Sequence, residues 1–275
     1  VGCLSGLNVD IMSKFPLGRV MDNWWRDKAY LEQIIDWAYQ LEEKFPDAHL
    51  ISIGQSPSWI IRCVSKIRKM RGKDADVTFC PFTGGFLKRQ FDKNDSITRF
   101  ETRKGWKPDS EEVRKYGQYL ESLKLSPQQI FDRLETGEKF VFVEMIKGAG
   151  GFASFLSLWL SFAKNEDVKQ TLVKAITYYA YDIHPESNND VLDLGNGDFI
   201  SLDRKPLIGK KAEVIENTAS LNIAEPSSSR LVALYRIMAR GNQSAGLQLC
   251  PNITVRQQIE MTLHSEVQKR EHSLP

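Results

Sequence analysis

The chain alternates between stretches whose apolar residues recur at helical spacing and short β-branched or aromatic runs that end in glycine or proline. Over 22–44, Trp25, Leu31, Ile34, Ile35, Ala38 and Leu41 share one side of a predicted helix, and Glu32, Gln33, Asp36, Gln40 and Glu43 fill the other. Phe45-Pro46-Asp47 ends it. His49-Leu50-Ile51-Ser52-Ile53 then reads as a strand, Gly54-Gln55-Ser56-Pro57 as a turn, and 58–70 as the next helix. A second strand over 75–80 is closed by Pro81 and leads into Phe82-Thr83-Gly84-Gly85-Phe86.

The pattern weakens over 88–109, a polar segment carrying Arg89, Lys93, Arg99, Arg103, Lys104 and Lys107, which is expected to be a long loop or flap. Helices are predicted over 110–124 and 127–134, the second with Ser126 as its cap, Pro127 at its first position and Gly137 as its stop. Phe140-Val141-Phe142-Val143-Glu144-Met145 is the strongest strand signal, because four bulky residues without alternation suit a strand covered on both faces. Lys147-Gly148-Ala149-Gly150-Gly151 turns the chain into an apolar helix over 152–163. A helix over 167–174, a strand over 175–183 and a hairpin or irregular insert around Gly195-Asn196-Gly197-Asp198 follow. The remainder predicts a strand near Leu221 and helices over 229–240 and 254–270.

Strands alternating with helices predict an α/β fold of three layers around a mostly parallel sheet. The expected organisation is an N-terminal helical addition over 1–47, an α/β core over 48–185, and a C-terminal extension over 186–275 that completes or covers the core. There is no internal repeat.

Composition narrows the classes. With 275 residues, 41% hydrophobic and 26% charged, the chain can bury about 75% of its unfolded surface and needs no disulfide or metal staple. A net charge of +2 gives little attraction to a polyanion, so dedicated nucleic-acid binding is not expected. The most apolar stretch, 152–162, is about half the roughly 20 residues that span a bilayer, so no transmembrane segment is expected. Residues 1–20 lack the pattern of a secretory signal, and a cytoplasmic location is expected. Cys3, Cys63, Cys80 and Cys250 form no CxxC and read as reduced thiols, and the four histidines show no metal-ligand spacing.

Three turns after strands carry the candidate chemistry. At Gly54-Gln55-Ser56-Pro57-Ser58, glycine permits an unusual backbone angle, Gln55, Ser56 and Ser58 offer polar side chains, and the new helix directs free amides at a phosphate or carboxylate. The plainer alternative is that Ser56 or Ser58 caps the helix. Gly54-Gln55-Ser56 also matches half of a G-x-S-x-G nucleophile elbow, so a serine hydrolase using Ser56 is an alternative, although Pro57 lacks the N–H that an oxyanion hole would use. The second turn holds Thr83 and Gly84. In the third, Lys147, Gly148, Ala149, Gly150 and Gly151 let backbone amides approach a ligand closely, or let helix and sheet pack tightly. Loops at the carboxyl ends of parallel strands share one edge, so the three turns meet if their strands are neighbours.

The run from Phe140 to Phe152, a hydrophobic strand followed by Glu144 and then Gly150-Gly151, resembles the ribose-phosphate turn of the phosphoribosyltransferase superfamily. Met145, Gly148, Ala149 and Phe152 replace that family's second acidic residue, its acidic residue before the phosphate loop, and its hydroxyl-bearing residues. The resemblance covers roughly 50–163 and implies a phosphoribosyltransferase-like fold that binds a small phosphorylated metabolite or nucleotide, with or without phosphoribosyl transfer. It also implies Mg²⁺ accompanying phosphoribosyl pyrophosphate or pyrophosphate, with Glu144 acting through the ion's water. A competing class is a non-enzymatic protein-interaction module, for which Trp24, Trp25 and the basic residues between Lys88 and Lys107 are the features.

Overall fold

The structure, a computed structural model, describes residues 27–54, 56–82, 85–90, 97–102, 109–183, 190–207 and 253–273. In chain order these form α1 (Lys28–Lys44), β1 (His49–Ile53), α2 (Ser58–Met70), β2 (Val77–Cys80), β3 (Leu87–Arg89), β4 (Ile97–Thr102), α3 (Ser110–Ser122), α4 (Pro127–Glu135), β5 (Phe140–Ile146), α5 (Gly150–Leu160), α6 (Glu166–Ala175), β6 (Thr177–Asp182), β7 (Val191–Asp193), β8 (Phe199–Pro206) and α7 (Ile253–Ser273). The expected strand near Leu221, the helix over 229–240, Trp24 and Trp25 lie outside the described residues.

One eight-stranded sheet runs through the molecule in the order β2-β1-β5-β6-β8-β7-β4-β3. The pairs from β2 to β8 are all parallel, as is β4 with β7, whereas β7 with β8 and β3 with β4 are antiparallel. An α/β fold with a mixed, mostly parallel sheet is therefore what the strand patterns form.

Side chains alternate across β1, β5 and β6, and this divides the core in two. Ile51, Ile53, Phe140, Phe142, Ile146, Tyr178 and Ala180 face α3 to α6. Leu50, Val141, Val143, Met145, Tyr179 and Tyr181 face α1, α2 and α7. Phe142 is covered by the ring edges of Trp159 at 4.9 Å, Phe155 at 5.8 Å and Tyr178 at 5.9 Å, an arrangement worth about 0.5–1.5 kcal/mol per pair beyond area burial. Two buried aromatic polar ends are satisfied by backbone: Trp159 Nε1 donates to Leu125 O and Tyr181 Oη to Trp37 O.

Three expectations need correction. The segment 88–109 is not simply a loop. It contributes most of β3 and all of β4, whose Thr98 and Phe100 point inward while Lys88 and Glu101 pair across the outer face at 2.7 Å. The first helix begins at Lys28 rather than near 22, because the Asp27 carboxylate accepts from Ala29 N and caps it there. The second strand begins at Val77 rather than 75, since Asp76 has φ +40 and turns the chain into it.

Candidate functional site

Numbered by their own chain order, the five parallel strands β1, β2, β5, β6 and β8 lie 2-1-3-4-5. The connection from β1 to β2 runs through α2 on one face, and that from β2 to β5 runs through α3 and α4 on the other. The winding thus reverses between β1 and β5. In such sheets the crevice for a ligand opens at the carboxyl ends of the two strands flanking the reversal. The turns that end β1 and β5 are the first and third of the three candidate turns.

They touch. Ser52 pairs with Val143, so Glu144 lies one residue beyond the last paired position. A Cβ on Gly54 would sit 2.9 Å from Glu144 Oε2, and Gly54 has φ +69. Glycine is required there twice: for the backbone angle, and for the room in which the carboxylate lies. Gly54 N donates to Cys80 O at 3.0 Å, which ties the end of β2 to the same edge. The neighbour relation on which a combined site depends therefore holds for β2, β1 and β5.

Ser56 is half-buried at this turn, but Ser58 turns inward, 1% exposed, and shares a hydrogen bond with Ser52 Oγ at 3.3 Å. Neither serine is the N-cap of α2: Pro57 holds that position and makes no side-chain cap. At β5, Lys147 is exposed, Gly148 has φ +132, and the buried Ala149 adopts the left-handed conformation at φ +60. Helix α5 then starts without a side-chain cap. By contrast, α1, α3, α4 and α6 are capped by Asp27, Asp109, Ser126 and Asn165. Uncapped amides are available to an anion.

The two adjacent glycines of this turn differ. A Cβ on Gly150 would meet Leu87 O at 3.0 Å, whereas one on Gly151 would have nothing within 4 Å. Gly150 is the packing glycine, letting α5 approach β3. Ser154 secures that approach, accepting from Leu87 N at 2.9 Å and donating to Gly150 O at 2.6 Å. Gly151 is the open one. Gln55, Thr83 and Gly84 lie outside the described residues.

Electrostatically the edge is mixed. Glu144 Oε1 accepts from Met145 N at 2.9 Å. Burial, and to a lesser degree Glu144, pushes the Cys80 thiol up to about 12, while its contact with Tyr116 acts the other way, so Cys80 stays a neutral thiol. Among the described residues no group of three His, Cys, Asp or Glu could hold a metal ion. His49 opens β1, at the end of that strand opposite Ser56, His264 lies on α7 in a groove with Arg62, Ser65, Lys66 and Lys69 of α2, and His184 lies outside the described residues.

One pair at this edge has little local signature. Asp182, 3% exposed at the end of β6, receives Arg204 Nη1 from β8 at 2.9 Å. The only hint in the sequence is an acid closing an aromatic strand.

Comparison of the chain with known proteins matches no family model, no curated protein and no solved structure. Among the described residues no helix is long and apolar enough to cross a membrane.

Proposed function

We propose that the crevice between the carboxyl ends of β1 and β5 binds a small phosphorylated metabolite carrying a sugar, a ribose phosphate or a nucleotide, without transferring it. The observation that supports this best is the meeting of Gly54 and Glu144 at the reversal of the sheet, between two helices whose first amides lack side-chain caps. The amides of α2 and α5 suit the phosphate. Glu144 repels a bare phosphate but accepts hydrogen bonds from sugar hydroxyls, which is why a sugar phosphate fits better than inorganic phosphate. Glu144 is the one carboxylate among the described residues of the two turns, which leaves little to stabilise a departing base, so binding rather than phosphoribosyl transfer is the reading.

Calorimetry with ribose 5-phosphate, adenosine monophosphate, phosphoribosyl pyrophosphate and pyrophosphate, with and without Mg²⁺, tests it. Ribose-bearing ligands are expected to bind, and Glu144→Gln to weaken them by about tenfold while sparing pyrophosphate. Gly151→Val, which adds bulk at the open glycine, is expected to remove binding of all of them from a chain that keeps its circular dichroism. Failure of every ligand to bind at millimolar concentration overturns the proposal and favours an interaction module. Product formed from phosphoribosyl pyrophosphate and a nucleobase overturns the absence of transfer.

A further inference from the structure

A second concave site lies on the other face of the sheet, between α2 and α7 and against the edge strand β2. It is a groove of about 360 Å³, which falls within the range typical of small-molecule sites, about 300–1,000 Å³. Arg62, Lys66 and Lys69 line it at i, i+4 and i+7 of α2, and His264 faces them from α7. At 1.5 Å of rise per residue the three cations span about 10 Å. Glu260 is the one acid lining the groove, and it is already engaged, with Arg62 Nη1 at 3.0 Å from its Oε1. Arg62 is further oriented by Phe79, whose ring centre is 4.6 Å from the guanidinium carbon, and by Trp59 at 5.8 Å.

Lys66 and Lys69 differ from the other lysines of this face. Lys44 and Lys73 are ion-paired with Asp203 and with Glu42 and Asp47, whereas neither Lys66 nor Lys69 meets an acid among the described residues. Met70 and Phe79 add apolar surface to the same groove, and Ser65 adds a hydroxyl. A short row of cations beside an apolar patch suits a ligand with a phosphoryl chain and a flat apolar portion.

We propose that this groove binds a nucleoside di- or triphosphate, the phosphoryl chain along Lys66, Lys69 and His264 and the base against Met70 and Phe79. The site is separate from the β1–β5 crevice and does not depend on the function proposed for it. A small ligand fits better than a nucleic acid, because the row ends within two turns of one helix and the whole chain carries a net charge of only +2.

The test is calorimetry on the full chain with ADP, ATP, adenosine, pyrophosphate and a single-stranded RNA, using wild type, Lys66→Gln, Lys69→Gln, the double variant and Gly151→Val. ADP and ATP are expected to bind and adenosine is not. Each lysine variant should weaken ADP by about tenfold, the loss expected of one charge-assisted contact. Because nucleotides are also proposed to enter the β1–β5 crevice, the lysine variants are read again in the Gly151→Val background, where the groove is expected to be the remaining ADP site. In parallel, ADP should protect Lys66 and Lys69 from acetylation, read by mass spectrometry, which locates the site independently of affinity. The proposal is overturned if neither nucleotide binds, if in the Gly151→Val background the double lysine variant binds ADP as tightly as Gly151→Val alone, or if acetylation of both lysines is indifferent to ADP. Pyrophosphate as tight as ADP would remove the base from the assignment, and preferential RNA binding through the same lysines would replace the small ligand by a macromolecule.

Discussion

The two ends of strands β1 and β5 are built differently. At the amino ends, side chains satisfy the backbone. Arg68, 2% exposed, donates to Glu42 Oε2 at 2.6 Å, to Ala48 O at 2.9 Å and to Phe45 O at 2.8 Å, and it reaches Ala75 O and Asp76 O at 3.3 Å. His49 contacts Thr78, Asp76 and Arg133, and Arg133 in turn is forked onto Glu138. At the carboxyl ends, two helices begin without side-chain caps, Gly54 and Ala149 hold positive φ, and Glu144 occupies the space that a side chain on Gly54 would take. One end locks strands and helices in register. The other holds two helix starts without a side-chain cap and a carboxylate seated against a glycine, the arrangement on which the proposed binding rests.

The largest effect that would sharpen this contrast comes from Arg68→Met. Glu42 is 1% exposed, and without the guanidinium its nearest remaining cation is Lys73 Nζ at 3.7 Å. Removing one partner of a buried ion pair costs about 3–5 kcal/mol, so urea unfolding should show a loss of that order. A loss below about 1 kcal/mol, the level of an exposed pair, would mean that the amino end is not the locked one.

A smaller effect separates the two glycines at the start of α5. Gly150→Ala drives a methyl against Leu87 O, a backbone atom, and should destabilise by about 1–3 kcal/mol, the range for overpacking. Gly151→Ala meets nothing within 4 Å and should stabilise by about 0.5 kcal/mol, through a less flexible unfolded chain. Equal effects in thermal unfolding would break the distinction between a packing glycine and an open one.

How far the sequence reveals this contrast depends on how local each signal is. Phe140 to Val143 announce a doubly covered strand because burial on both faces is written into consecutive residues, and Ser126-Pro127 announces a helix start because a cap is local chemistry. Strand β4 escapes because only Thr98 and Phe100 face inward, among charges that suggest a flap; the cross-strand pair Lys88 with Glu101 is visible only once the register is known. Gly150 and Gly151 are indistinguishable in sequence, since what separates them is Leu87, more than sixty positions earlier. Gly54 and Glu144 are each legible as turn residues, but their contact is set by strand order, which no local pattern encodes. The Arg68 and His49 networks are missed for the same reason, their partners being drawn from α1, β2, α4 and the connecting turns.

The smallest expected effect is a change of slope with pH, and it tests the amino end at His49. His49 Nε2 lies 2.7 Å from Thr78 Oγ1, and Nδ1 lies 2.7 Å from Asp76 Oδ1 and 2.9 Å from Arg133 Nη2. A guanidinium only donates and a carboxylate only accepts, so one ring nitrogen cannot serve both. The arrangement that satisfies most groups is a neutral ring whose Nδ1–H donates to Asp76 and whose Nε2 accepts from Thr78, with Arg133 held by Glu138. Burial lowers the ring's pKa below its ordinary 6.5, the nearby Arg133 and Arg68 act in the same direction, and Asp76 and Glu138 oppose them. Between the lowered folded value and 6.5 the unfolded chain binds a proton that the folded chain does not. Stability should therefore fall as pH drops below 6.5, until the folded value is passed, and His49 should contribute no slope above 6.5. In His49→Gln that part of the slope should vanish while the other carboxylates keep theirs. The measurement is the urea midpoint of both chains between about pH 5 and pH 8, spanning the unperturbed histidine value. Parallel profiles would show that His49 titrates alike folded and unfolded, and a wild-type profile that rises as pH drops below 6.5 would show that Asp76 outweighs burial and that the ring is held as a cation.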